Sequence, residues 1–201
     1  MSDSPINENE VIQKAINGDR EAFNDLVHLY SQQIFSLSYR LTNNFVDAED
    51  LSQNVFVKVL IKLPDFKFKS SFSTWIYRIT VNNWYDTLRK RNKLKYRTLD
   101  FTAGNAAEEH TVNEIIDSAP GIEAKSESKE MNQMLTKAID SLVPEQKIAI
   151  ILKYMQDKSL EEICEICDCS IGTLSSRLTR GVKEVKKHIE KYVNTGKAVS
   201  E

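Results

Sequence analysis

The chain has 201 residues, with 27 basic and 29 acidic side chains and a formal net charge of -2. Six glycines and four prolines fall well below the roughly 12% usual for these two residues, which argues against a β-sandwich, a barrel or a glycine-rich phosphate-loop enzyme and favours helices on short connections. No apolar run approaches the ~20 residues that span a bilayer, the acidic, polar first ten residues lack a signal segment, and three cysteines within six positions imply no disulfide framework; a cytoplasmic chain with no membrane insertion is expected.

Hydrophobic periodicity predicts helices almost throughout. Residues 8–17 make a short helix ended by Gly18. Asp19 is placed to cap a longer one, whose Phe23, Leu26, Val27, Tyr30, Ile34, Leu37 and Leu41 fall on one stripe. Asn43 and Asn44 interrupt it. A third helix is expected over 47–63, capped by Asp47, with Ala48, Leu51, Val55, Val59 and Leu63 in register and Pro64 as its stop. Ser70 or Ser71 caps a fourth, with Phe72, Trp75, Ile76 and Ile79 on one side, running into a basic cluster at 89–93.

The periodicity disappears over 99–128, which contains Gly104, Pro120, Gly121 and acidic pairs and reads as a flexible linker. It returns with Met131, Met134, Leu135, Ala138 and Leu142. Pro144 stands where a first-turn proline belongs, ahead of Ile148, Ile151, Leu152 and Met155. Ser159 and Glu162 match a capping box that opens a short helix to Cys167. Asp168, Cys169 and Ser170 form a turn, and Ser170 caps a last helix bearing Ile171, Leu174, Leu178, Val182, Val185 and Ile189. The expected fold is all-α: a helical unit over 1–97, a flexible acidic linker over 98–128, a second helical unit over 129–192 and a disordered tail over 193–201.

The near-neutral total conceals strong patterning. Residues 1–66 carry net -5, residues 67–97 net +8, residues 99–128 net -6 and residues 170–191 net +4. Two basic blocks separated by an acidic one are the electrostatic footprint of phosphate binding.

Three constellations carry the functional reading. The last two helices form a helix-turn-helix, whose second helix enters a major groove. With Ile171, Leu174, Leu178 and Val182 inward, the other face presents Ser170, Thr173, Ser176, Arg177, Arg180, Lys183 and Lys187. Arginine pairs bidentately with guanine, while the later lysines suit phosphates. An ordinary helical hairpin with a solvated basic face is the plain alternative. Second, residues 66–85 interleave aromatics, amides and cations, as a surface for unpaired bases does. Phe72, Trp75 and Ile76 read as core. Phe66, Phe68 and Tyr77 stand between core and DNA contact, and the lysines with Asn82 or Asn83 read as contacts. Third, the acids at 47–50 complement a helix N-terminus. Cys164, Cys167 and Cys169 lack a nearby fourth ligand and read as structural cysteines rather than a metal site, with Cys169 the more exposed.

Taken together, DAEDLSQNVFVKV, LPDFKFKSSFSTWIYRITVNNWYDTLRKR and LVPEQKIAIILKYMQDKSLEEICEICDCSIGTLSSRLTRGVKEVKK resemble a bacterial RNA polymerase sigma factor of the extracytoplasmic-function type, over about residues 10–97 and 130–190. The resemblance implies that Asp47, Glu49, Asp50, Leu51, Gln53 and Phe56 dock on the coiled coil of the largest polymerase subunit. It implies that Phe66, Lys67, Phe68, Lys69, Ser70 and Ser71 form the loop that captures a base flipped from the promoter minus-ten element. Tyr77, Arg78, Asn82, Asn83, Arg89, Lys90 and Arg91 then belong to the helix that melts the duplex, and the helix-turn-helix reads the minus-thirty-five element beside the flap of the second-largest subunit. An anti-sigma partner is implied as well; no cofactor, metal or catalytic residue is. Asn54 and the three cysteines depart from the family pattern. A conventional helix-turn-helix regulator acting without polymerase is the competing reading.

Overall fold

The computed structural model describes residues 7–99 and 122–197, with side-chain positions for 7–91, 93 and 130–192. All regular elements among them are helical. The chain divides into two compact units between Glu108 and Glu109.

The first unit contains α1 (Glu8–Ile16), α2 (Arg20–Thr42), α3 (Phe45–Lys62), a 3-10 turn (Leu63–Asp65) and α4 (Phe72–Leu99). The Asp19 carboxylate caps α2 by accepting from the Glu21 and Ala22 backbone N–H groups at 2.9 and 3.2 Å. Asn43 ends α2 in the left-handed conformation at φ 51°, a position asparagine tolerates better than most residues. Asn44 then caps α3, its side-chain oxygen accepting from the Asp47 N–H at 3.0 Å. Asp47 is therefore not the cap; it lies in the first turn, where its charge still complements the helix dipole. Of the two serines considered for α4, Ser71 accepts from the Thr74 N–H at 3.0 Å. Ile12, Leu26, Ile34, Leu37, Leu41, Ala48, Val55, Val59, Leu63 and Ile76 fill the core between these helices. The buried Tyr30 hydroxyl donates to Glu8 and ties α1 onto α2.

The second unit contains α5 (Ile122–Asp140), α6 (Pro144–Ile150), a π-helical continuation (Ile151–Met155), α7 (Leu160–Cys167) and α8 (Ile171–Lys197). Its core holds Ala138, Ile148, Ile151, Leu152, Ile163, Ile166 and Leu174. The capping box is complete: Ser159 Oγ accepts from the Glu162 N–H at 3.1 Å, and Glu162 accepts from the Ser159 N–H at 2.8 Å. Burial opposes the Glu162 charge, but the Ser159 backbone bond and Lys158, 3.2 Å away, together hold its carboxyl below the usual range.

Helix boundaries correct the expected linker and tail. The last seven residues assigned to the linker belong to α5, and α8 continues five residues into the expected disordered tail. Residues 100–121, most of the expected linker, and 198–201 lie outside the described residues.

The inward stripe of α8 is also rotated from the expected one. Ile171 and Val182 are half exposed, whereas Leu174 is fully buried and Gly181 is buried against α6. A Cβ at Gly181 would lie 3.0 Å from Ile150 Cγ1, so the missing side chain is what lets the two helices approach. Counting only large apolar residues missed that position and pulled the stripe toward its neighbour, Val182.

Candidate functional site

The interface of the first unit is built on two faces. On α3, Asp47 is part-exposed, and Glu49, Asp50 and Gln53 face solvent. Leu51, which the periodicity places on the apolar stripe and the resemblance places among the docking residues, is 5% exposed and packs in the core. Phe56 is half-buried. In their place the structure adds apolar side chains that sequence reasoning missed: Val46, Val57, Leu60 and Ile61 are all at least half exposed. At spacings of three and four residues, Val46, Asp50, Gln53, Val57 and Leu60 share one stripe. The signal was present in the sequence, since α3 is apolar on two sides and only one of them can line the core. An exposed apolar stripe edged by acids has the character of a surface that another protein covers.

The second face is the loop after α3. Phe66, expected to be either core or contact, is buried, and it anchors an aromatic cluster. Its ring lies 5.5 Å from Phe72, 5.1 Å from Trp75 and 4.9 Å from Phe68, and Phe72 reaches Tyr30 at 5.2 Å. Offset and edge contacts of this kind stiffen the loop beyond the area they bury. Phe68 sits at φ +55°, a left-handed conformation costing a side-chain-bearing residue roughly 1–2 kcal/mol, and the residue is 43% exposed. Lys67 and Lys69 flank it in solvent, Ser70 is half-buried and Ser71 exposed. The loop thus presents one strained aromatic face between two cations. Strain kept in place by surrounding packing is a mark of a working site.

Along α4, Asn82, Arg89, Lys90 and Arg91 are exposed and Arg78 is half-buried. Two expected contacts are not at the surface. Tyr77 is 2% and Asn83 7% exposed. Asn83 instead accepts from Lys58 Nζ at 2.7 Å, and Lys58 also reaches Asp86 at 3.3 Å, so these side chains pin α4 to α3. Period-3.6 counting ranks residues by type and cannot see that an amide on the inward side is bonded to a lysine from another helix. Arg91 is also engaged: its guanidinium donates to Asp47, an ion pair that raises its already high pKa.

In the second unit, α7, its turn and α8 make the helix-turn-helix. Ser170 caps α8 by accepting from the Thr173 N–H at 3.3 Å, and its hydroxyl lies 3.0 Å from that of Thr173. Ser176 donates to the Thr173 carbonyl at 2.9 Å and is half-buried, as is Arg177. Arg180, Lys183 and Lys187 are exposed. This row of hydroxyls followed by cations suits base edges near the N-terminus and phosphates beyond it. Among the described residues, no three histidine, cysteine or carboxylate side chains converge to hold a metal ion.

Both units match known families. A family model described as Sigma-70 region 2 matches residues 26–94, and one described as Sigma-70, region 4 matches residues 132–185. The ECF RNA polymerase sigma factor SigW of Bacillus subtilis (strain 168) is 31% identical over 178 residues, which are 89% of this chain and 94% of that protein. The chain belongs to the ECF sigma factors of bacterial RNA polymerase. A second ECF sigma factor, sigma-E of Escherichia coli K12, is 29% identical over 190 residues, covering 91% of this chain and 94% of the relative. Among solved structures, the sigma factor RpoE of Bartonella quintana, crystallised with the anti-sigma factor NepR, matches with a TM-score of 0.65 at 25% identity over 84% of this chain and 96% of that one. CnrH, solved with the cytosolic domain of CnrY, shares the fold at 17% identity, with a TM-score of 0.64 over 92% of this chain and 97% of that one. No helix among the described residues of this ECF sigma factor is long and apolar enough to cross a membrane.

Proposed function

We propose that this chain acts in the cytoplasm as a promoter-specificity subunit, docking on RNA polymerase core, reading and opening particular promoters, and catalysing no reaction of its own. The observation that carries the reading is the pairing, within one compact unit, of an acid-edged apolar stripe on α3 with a strained, exposed Phe68 between two lysines. Val46, Asp50, Gln53, Val57 and Leu60 form the docking stripe for the coiled coil of the largest core subunit. Phe68, Lys67 and Lys69 hold a base flipped from the minus-ten element, and Asn82, Arg89, Lys90 and Arg91 follow the displaced strand. Melting is driven by exchanging base stacking for stacking on an aromatic side chain and for phosphate contacts. In the second unit Ser170, Thr173, Arg177 and Arg180 read the minus-thirty-five element, Lys183 and Lys187 hold phosphates, and the flap of the second-largest subunit carries the unit.

Control by an anti-sigma factor follows from the same stripe, because a protein covering Val57, Leu60 and Ile61 excludes the polymerase. The Bartonella quintana relative, solved with an anti-sigma factor, supports control by such a partner.

The test is reconstitution. Purified core polymerase with this chain should give run-off transcripts from a discrete set of promoters in a genomic library, and core alone should not. Tight binding to duplex DNA with no binding to core would overturn the reading in favour of a conventional helix-turn-helix regulator.

A further inference from the structure

The end of α7 places two of the three cysteines together. Asp168 adopts the left-handed conformation at φ 47°, and the Cys169 N–H donates to the Cys164 carbonyl at 3.1 Å, a six-residue closure of the Schellman type. That closure characteristically packs the side chain after the left-handed residue against the one that opens the loop. In most helices the contact is apolar; here both positions are cysteine, brought to the two ends of one closed turn. Cys167, on the same short helix, lies outside that closure, and burial pushes its thiol up to about 12. All three are free thiols, so none is already committed to a bond.

We propose that Cys164 and Cys169 form a peroxide-reactive dithiol that closes to an intramolecular disulfide across the helix-turn-helix turn, while Cys167 stays reduced. The chemistry balances with a hydroperoxide as the two-electron oxidant. The Cys169 thiolate, in the turn, attacks the O–O bond and becomes a sulfenic acid, and the leaving oxygen departs as water or an alcohol. The Cys164 sulfur then displaces the sulfenic oxygen as water, forming the S–S bond. Over both steps two thiols lose two protons and two electrons, and the hydroperoxide is reduced. Burial keeps Cys164 protonated above its ordinary value, which suits the resolving rather than the attacking role. A thiol-rich cytosol reverses the bond by exchange. Ser170, whose hydroxyl caps α8, directly follows Cys169, so the bond forms at the N-terminus of the recognition helix.

The experiment treats the reduced full-length chain with one equivalent of hydrogen peroxide and counts titratable thiols after denaturation. The count should fall from three to one and return to three with dithiothreitol, without a covalent dimer on a non-reducing gel. Cys167→Ser should fall from two thiols to none. Cys164→Ser and Cys169→Ser should form no intramolecular bond, and circular dichroism should show all three variants folded. Loss of two thiols in Cys169→Ser would mean that Cys164 pairs with Cys167 and would overturn the assignment. So would a covalent dimer, or a wild-type count that stays at three.

Discussion

The Arg91 guanidinium, near the basic end of α4, donates to the carboxylate of Asp47, in the first turn of α3, at 2.5 Å. These residues are 44 positions apart in sequence, and the family resemblance implies different partners for them, nucleic acid for Arg91 and polymerase core for Asp47. In the free chain each occupies the other. The pair is half exposed on the arginine side, so it contributes only about 0.2–1 kcal/mol to stability and is readily exchanged for a phosphate. Asp47→Asn releases Arg91. The expected result is one additional phosphate contact, which steepens the fall of log K with log salt by about one, measured by fluorescence anisotropy on single-stranded DNA over a salt series. The same substitution should weaken binding to core polymerase. An unchanged salt slope would mean that Arg91 does not reach DNA.

Neighbouring amides on α4 should separate structure from recognition. Asn83 is buried and accepts from Lys58, so Asn83→Ala leaves an ammonium with one acceptor fewer and costs about 1–3 kcal/mol. Asn82 is exposed, so Asn82→Ala should leave stability within about 0.5 kcal/mol and reduce promoter opening. Both tryptophans, Trp75 and Trp84, are in the first unit, so a urea titration followed by tryptophan fluorescence reads that unit alone.

These outcomes mark where the sequence was legible. Local signals survived folding: Asp19, Ser71, Ser159 and Pro144 stand at helix starts as expected, because a cap is decided by residues three positions away. Signals needing a third dimension did not. The Asn43-Asn44 pair reads as an interruption, whereas the structure uses one residue to end α2 and the other to begin α3, which displaces the expected Asp47 cap. Phe66, Tyr77 and Asn83 have the residue types of an interface but face inward, because the other helices of the first unit cover them. Val46, Val57, Leu60 and Ile61 have the residue types of a core but face outward, and so were overlooked.

Two glycines of α8, Gly172 and Gly181, should respond in opposite directions. A Cβ at Gly172 meets nothing within 4 Å, so Gly172→Ala gains helix propensity of up to about 1 kcal/mol and raises the melting temperature of the second unit. Gly181 faces Ile150 and Gln146, with Ile150 Cγ1 at 3.0 Å from an added Cβ. Gly181→Leu should therefore overpack the α6–α8 contact and cost about 1–3 kcal/mol. Thermal melts by far-UV circular dichroism, set against tryptophan fluorescence for the first unit, assign each change to its unit. A destabilised Gly172→Ala or an unaffected Gly181→Leu would contradict this packing.

The capping box makes the second unit acid-sensitive in a defined direction. Glu162 ionises below its ordinary value of 4.5, because its charged form accepts from the Ser159 N–H and pairs with Lys158. A carboxyl depressed in the folded state stabilises that state most when both forms are ionised, so its contribution is complete above about pH 4.5. It is lost as pH falls through the lower folded value, where the native carboxylate also takes a proton. Glu162→Gln keeps a group able to accept from the Ser159 N–H but removes the titration. At pH 7 the variant should melt below the wild type by the few degrees that a capping change of about 0.5–2 kcal/mol produces, and the gap should narrow steadily below pH 4.5. Melts of the two proteins between pH 7 and pH 3, again by circular dichroism, give the comparison. A gap that stays constant across this range would show that the Glu162 charge adds nothing beyond its hydrogen bond.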